Sequence, residues 1–301
     1  MAPLSVWIKA FRLRTLPLAV STIAMGGFLS ATVSQFNSKA VIFAAITTLL
    51  LQILSNLAND YGDAVSGIDN EKRIGPKRTV QSGEITKAEM KWATILFALL
   101  AIASGLFLVF RATDLQPTRS LLFVVIGLGA VVAAIKYTMG SKPYGYSGLG
   151  DLFVFVFFGL VGVKGTFYLA TMSLDYRILL PAAAIGLLSA GVINLNNMRD
   201  LENDVQHGKT TIPAKVGMKN AFFYHCSLVL IPFLLLGVFN FIMGYSASTY
   251  LFYLVLPFCV YDLVKLHKSY KTGSIDPFLP LLSMKTLALT FFYGFLIVFQ
   301  N

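Results

Sequence analysis

The chain has 301 residues, 56% of them apolar and only 13% charged, with a mean hydropathy of +0.72. Soluble domains run nearer half apolar and a quarter charged, so a solvated globular fold is excluded. The formal net charge of +10 invites a nucleic-acid reading, but the basic residues fall in a pattern that argues otherwise.

The apolar surplus is gathered in nine blocks, at about 15–35, 38–58, 91–110, 119–138, 148–171, 177–196, 221–243, 247–264 and 279–299. Each is long enough to cross a hydrocarbon core of roughly 30 Å as a helix. Backbone groups in lipid must bond internally, which makes these blocks helices rather than strands. The fold class is therefore all-α, a polytopic membrane protein with nine transmembrane helices in a single domain spanning 1–301.

The first block follows Lys9, Arg12 and Arg14. It is too long for the core of a secretory signal, so it counts as the first span. With the N-terminus inside, most basic residues fall on the inside loops. The loop after span two holds Lys72, Arg73, Lys77, Arg78, Lys87 and Lys91, and that after span six holds Arg199, Lys209, Lys215 and Lys219. This asymmetry sets the orientation and accounts for the charge without nucleic acid.

Span two runs into the stretch "LQILSNLANDYGDAVSGID" at 51–69. Gln52, Asn56, Asn59 and Asp63 recur there at i, i+4, i+7 and i+11, which is one helix face. Asp60 lies beside that stripe, and Asp69 follows it. Span six ends in "INLNNMRDLENDVQHGKTTIP", where Asn196, Asp200 and Asp204 recur at i, i+4 and i+8. Both stretches carry Asn-x-x-x-Asp, both end an even-numbered span on the inside, and a basic segment follows each. An internal duplication, helices 1–4 against 5–8 with helix 9 added, fits this recurrence. Glu84 and Glu89, in a mildly helical loop, read as solvated capping carboxylates, and Glu202 points off its helix face.

Carboxylate and amide oxygens are hard ligands suited to Mg²⁺, which typically joins one or two carboxylates to substrate phosphates. A diphosphate bridged by Mg²⁺ would relieve the repulsion between two facing acidic clusters. The arginines and lysines downstream would balance the remaining phosphate charge. The membrane helices would hold a hydrocarbon tail. The candidate metal ligands are Asn59, Asp63, Asp69, Asn196, Asp200 and Asp204.

Between spans four and five, Tyr137, Lys142, Tyr144 and Tyr146 read as interfacial anchors or as a lid over the site. Lys164, inside span five, faces the bundle either as a contact for an acceptor carboxylate or as a structural partner, because a lysine at mid-depth is costly in lipid. Lys285, near the inside end of span nine, is placed to snorkel. His207, His225 and His267 read as packing or interfacial residues. Cys226 and Cys259 sit in apolar runs and read as buried free thiols rather than a disulfide or zinc site.

Several stretches together resemble the UbiA superfamily of intramembrane prenyltransferases: "AFRLRTLP" at 10–17, "QILSNLANDYGDAVSGID" at 52–69, "GPKRTVQSGEI" at 75–85, "KPYGYSGLGDLFVFVFFGLVGVKGT" at 142–166 and "NNMRDLENDVQHGKTTIPAKVG" at 196–217. The likeness covers nearly the whole chain and is narrowest to the branch that acts on 1,4-dihydroxy-2-naphthoate in menaquinone synthesis. It implies a nine-helix bundle whose two Asp-rich motifs bind the diphosphate of a polyprenyl diphosphate donor through Mg²⁺. Asn59, Asp63 and Asp69 match the first motif, and Asn196, Asp200 and Asp204 the second. Arg73, Lys77, Arg78 and Arg199 are then placed to contact the diphosphate. Gln52 and Asn56, deeper by one and two turns, fall near the acceptor or the reacting prenyl carbon.

The Gly-x-Asp ending at Asp69 follows the naphthoate-type pattern, whereas Asp151 stands where that branch usually has Glu. The resemblance implies a bacterial inner-membrane enzyme with its active site on the cytoplasmic side, in contact with membrane lipid and with no obligate protein partner evident. Alternative acceptors are 4-hydroxybenzoate and homogentisate. A divalent-cation transporter is the rival of another class, although such proteins tend to place ion ligands near mid-membrane.

Overall fold

The structure, a computed structural model, describes residues 2–67, 77–141, 143–270 and 274–300. Among the described residues there is no strand, and nine helices are long and apolar enough to cross a membrane. The first of these candidates, Leu4–Ala31, is broken near its start. A short helix α1 (Leu4–Phe11) ends at Arg12, whose φ of 51° is left-handed, and α2 (Leu16–Ala31) begins after one tight turn. Pro17 at the head of α2 suits a first helical turn, where its missing N–H has no partner to lose. α1 packs Val6 and Ala10 against Leu57, Ile85 and Met90, while Leu4 and Ile8 stay exposed.

Helix α3 (Ser38–Ser66) outlasts the expected second span by eight residues. Asn37 caps its start by accepting from the Ala40 N–H, and Gly67, at φ 73°, stops it in the left-handed conformation that glycine adopts at little cost. The extra turns carry the first Asn/Asp stripe beyond the apolar block. α4 (Lys87–Ala112) opens with a reciprocal capping box between Thr86 and Glu89, the capping role expected for Glu89. α5 (Pro117–Lys136) returns the chain to the acidic end of the bundle.

Helix α6 (Gly150–Thr171) winds as a π-helix from Phe155 to Lys164. Such wide turns mark places where packing or function overrides ordinary winding. Here glycines bring it against its neighbours: a Cβ on Gly159 would stand 2.5 Å from the Ala182 carbonyl oxygen, and one on Gly162 would stand 2.0 Å from Thr22 Cγ2. α7 (Tyr176–Arg199) is the most buried span and packs on α6, α2 and the two helices described next. After a break at Asp200 the short α8 (Leu201–Gln206) follows.

Helix α9 (Ile212–Met243) begins earlier than the expected seventh span and is interrupted at Gly217, whose φ of 78° and ψ of 162° only glycine adopts readily. α10 (Ala247–Ser269) starts as 3₁₀ turns, and α11 (Phe278–Val298) closes the bundle against α2 and α7. The main core runs along α7 and includes Ile185, Leu188, Phe233, Phe239 and Tyr293. Lys285 does not snorkel. It donates to the Phe258 carbonyl (2.8 Å) and pairs with Asp262, fastening α11 to α10.

Candidate active site

One cavity takes in the ends of α3 and α7 and runs down between α2, α4, α5 and α6. Its apolar shaft includes Ala44, Leu108, Phe123, Val131, Phe157 and Val161. Residues such as Ala44 and Phe123 lie near the helix ends opposite the acidic groups, so the shaft spans much of the bundle's length.

At its head the two polar stripes meet. Gln52, Asn56, Asn59 and Asp63 come from α3, Asn196 and Asp200 from the end of α7, and Asp204 from α8. Asn59 Oδ1 accepts from Thr138 (3.2 Å), which also donates to the Ala58 carbonyl. Asp63 pairs with Arg78, whose Nη1 also donates to the Asn59 carbonyl at 2.9 Å. The Tyr146 hydroxyl donates to the other Asp63 oxygen. Lys209 lies 4.6 Å from the Tyr146 ring centroid and 3.3 Å from Asp204 Oδ1. An unbroken line of contacts therefore runs from Asp63 through Tyr146 and Lys209 to Asp204. The Tyr144–Ser147 turn is held over the site by Thr210 N–H and Lys215, which donate to the carbonyls of Tyr146 (2.7 Å) and Ser147 (3.0 Å).

The electrostatics follow from crowding. Burial, with Asp200 and Asp63 nearby, holds the Asp204 carboxyl above the usual carboxylate range, and Lys209 only partly offsets this. Burial also pushes the phenols of Tyr137, Tyr144 and Tyr146 well above the ordinary tyrosine value, so they stay protonated and can only donate to an anion. Among the described residues no three His, Cys, Asp or Glu side chains converge as a metal cage. What converges is a hard-oxygen set of carboxylates and amides split between two walls. That suits a cation which keeps part of its coordination for substrate phosphate oxygens.

The UbiA prenyltransferase family matches residues 19–298, almost the whole chain. This chain belongs to that family. It is 42% identical over 295 residues to the 1,4-dihydroxy-2-naphthoate octaprenyltransferase of Haemophilus influenzae, covering 97% of this chain and 95% of that one. It is 44% identical over 254 residues to the enzyme of the same name from Escherichia coli, covering 84% and 82%. A solved UbiA homologue from Archaeoglobus fulgidus, bound to GPP and Mg²⁺, has the same fold, with a TM-score of 0.66 at 15% identity over 97% of this chain and 99% of that one.

Within this UbiA-family site, Gln52 and Asn56 do more than line the wall. Both donate to Thr15 Oγ1, at 3.1 and 3.0 Å, and Asn56 also donates to the Phe11 carbonyl (2.9 Å). They tie down the turn that presents Arg12 and Arg14 to the cavity. Asp60 does not line the cavity and is buried, pairing with Arg12 and lying 3.7 Å from Arg78 Nε, both of which do line it. Tyr137 lines the cavity.

Three residues expected to touch substrate stand elsewhere. Lys77 is exposed and off the cavity wall. Arg199 is buried behind the wall, where its guanidinium is taken up by Asn196, Asp200 and Asp276. Lys164 lies toward the opposite end of the bundle, its Nζ 4.8 Å from the Tyr176 ring centroid. That ring belongs to the first residue of α7, and Lys164 does not line the shaft. Asp69, Arg73 and Lys142 lie outside the described residues.

Sequence reasoning missed Arg12, Arg14 and Thr15 as site residues, because a basic N-terminal segment is fully explained as a topology signal. It also passed over Lys209, one lysine among several after the second motif.

Proposed function

We propose that this protein transfers a polyprenyl group from polyprenyl diphosphate to 1,4-dihydroxy-2-naphthoate, with loss of the acceptor carboxylate as CO₂, at the cytoplasmic face of a bacterial inner membrane. The observation that carries the reaction class is the single cavity where both Asn/Asp stripes head an apolar shaft. The acceptor follows from the high identity to relatives named for it. The basic loops on the acidic side of the bundle support the sidedness.

Asn59, Asp63, Asn196, Asp200 and Asp204 would hold Mg²⁺, with Asp69 a further ligand by its place in the motif. When bound, Mg²⁺ supplies positive charge against which pyrophosphate can depart. The chain's own residues do the rest. Arg12, Arg14, Arg78 and Lys209 hold the diphosphate at the head of the shaft, and protonated Tyr146 donates to an oxygen there. The apolar shaft takes the prenyl chain and excludes water.

As the C1–O bond breaks, the electron pair leaves with pyrophosphate and C1 gains positive charge. The electron-rich naphthoate ring, held against C1, forms the new C–C bond. Loss of CO₂ returns the carboxylate's bonding pair to the ring and restores aromaticity. Positioning and charge stabilisation carry this catalysis, and no protein base is required.

The test offers the purified protein polyprenyl diphosphate with 1,4-dihydroxy-2-naphthoate, 4-hydroxybenzoate or homogentisate, with and without EDTA. Pyrophosphate release that needs both the naphthoate and Mg²⁺ is the expected result. Preference for either other acid would overturn the acceptor assignment, and EDTA-insensitive turnover would overturn the metal role.

A further inference from the structure

Arg199 has no face on the cavity, yet it governs two of the residues that do. Its side chain is 1% exposed. Nε and Nη2 reach the two oxygens of Asp200 at 2.8 Å each, and Nη2 also donates to Asn196 Oδ1 at 2.9 Å. The remaining nitrogen, Nη1, donates at 2.6 Å to Asp276 Oδ1. Asp276 lies in the connection between α10 and α11, 77 residues further along the chain, and its side chain is 43% exposed.

This arrangement creates a competition. Arg199 already binds the one side-chain oxygen of Asn196 and both oxygens of Asp200, the same atoms that a divalent cation in the proposed site would draw on. A buried guanidinium with no other anion would draw fully on those oxygens and place an uncompensated positive charge behind them. Asp276 supplies the counter-charge on the far side of the guanidinium. It holds Nη1 away from the cavity and lessens the positive field felt at Asp200.

We propose that Asp276 is a positioning residue that sets the divalent-cation affinity of the second motif by sharing Arg199 with Asp200. The proposal rests on the reading of Asn196 and Asp200 as metal ligands. It gives the last helical connection a part in the site although neither Asp-rich motif lies there.

The experiment measures Mn²⁺ binding by electron paramagnetic resonance on the full chain in lipid nanodiscs, saturated with a non-reactive prenyl thiolodiphosphate. Asp276→Asn should weaken Mn²⁺ binding about tenfold, the scale of one uncompensated charge at short range in a partly shielded site. Asp276→Glu should restore most of the affinity. Glu84→Gln, which removes a carboxylate paired with Lys9 at the same end of the bundle, should leave binding unchanged and controls for general loss of negative charge.

In turnover, Asp276→Asn should raise the Mg²⁺ concentration for half-maximal rate by the same factor without moving KM for the naphthoate. If Asp276→Asn misfolds, Asp276→Ser is read in the same way. Equal Mn²⁺ affinity in wild type and the folded Asp276 variant overturns this inference and leaves the metal site standing. Failure of the wild type to bind Mn²⁺, or binding undiminished in Asp200→Asn, overturns the metal-ligand reading itself.

Discussion

Asp63 and Asp200 each meet a cation already: Asp63 pairs with Arg78, and Arg199 grips both oxygens of Asp200. A carboxylate so held faces positive charge in a buried setting, with oxygens that a divalent cation could share. Replacing either by alanine removes an anion from the site and takes one partner from its arginine. The expected outcome is a loss of turnover of about 10³-fold or more, the scale of losing a main electrostatic stabiliser, with helical circular dichroism retained. A variant turning over within tenfold of wild type would remove that residue from the metal set.

Asp204 adds a pH dependence of definite sign. Burial and neighbouring carboxylates raise its pKa, so in the metal-free protein it takes up a proton at higher pH than an ordinary aspartate does. A proton and a cation compete for the same oxygens. Divalent affinity should therefore be full at alkaline pH and fall as pH drops through the raised value. Mn²⁺ titrations at neutral pH and at about pH 5 read this directly, and Asp204→Asn should flatten the dependence.

At the scale of elements, the π-helical part of α6 is held by close glycine contacts as well as by Val163, Phe158 and Leu160 in the core. Gly159 and Gly186 approach so closely that a Cβ on Gly159 would stand 2.9 Å from Gly186 Cα and collide with the Ala182 carbonyl. Gly159→Val should cost about 2 kcal/mol or more through overpacking, read as a lower Tm of the purified protein. Gly129, where a Cβ would meet nothing within 4 Å, is the matched control, and its valine variant should stay within about 1 kcal/mol of wild type. Equal Tm for the two variants would show that the close packing of α6 on α7 is not what holds the wall of the shaft.

This scale also shows where sequence reading stops. The nine helices and the two stripes were legible because apolar length and an i, i+4 recurrence survive folding unchanged. Arg199 meeting Asp276 was not, since nothing in periodicity relates an arginine at a helix end to a carboxylate 77 residues later. For Lys164 the sequence left an acceptor contact and a structural partner open, and only the fold shows its ammonium over the Tyr176 ring, because hydropathy along one helix says nothing of which neighbour it meets. Arg12 was hidden because its charge is fully explained as a topology signal, and nothing in the pattern shows that its backbone turns left-handed beside the cavity.

For the molecule as a whole, sidedness joins sequence to chemistry. In the proposed reaction water-soluble naphthoate and Mg²⁺ reach the acidic end of the bundle, and that end carries the basic loops that favour the cytoplasmic side. Two exposed positions report on the two ends: Glu84, which precedes α4 beside the acidic cluster, and Ser173, in the loop between α6 and α7. The free thiols Cys226 and Cys259 are first replaced by alanine.

In intact bacterial cells, a membrane-impermeant maleimide should then label Ser173→Cys and leave Glu84→Cys untouched, whereas inverted inner-membrane vesicles should show the reverse. The labels test orientation without relying on activity, because neither position lines the cavity. Labelling of Glu84→Cys from outside intact cells would turn the site toward the periplasm and separate it from cytoplasmic Mg²⁺ and acceptor.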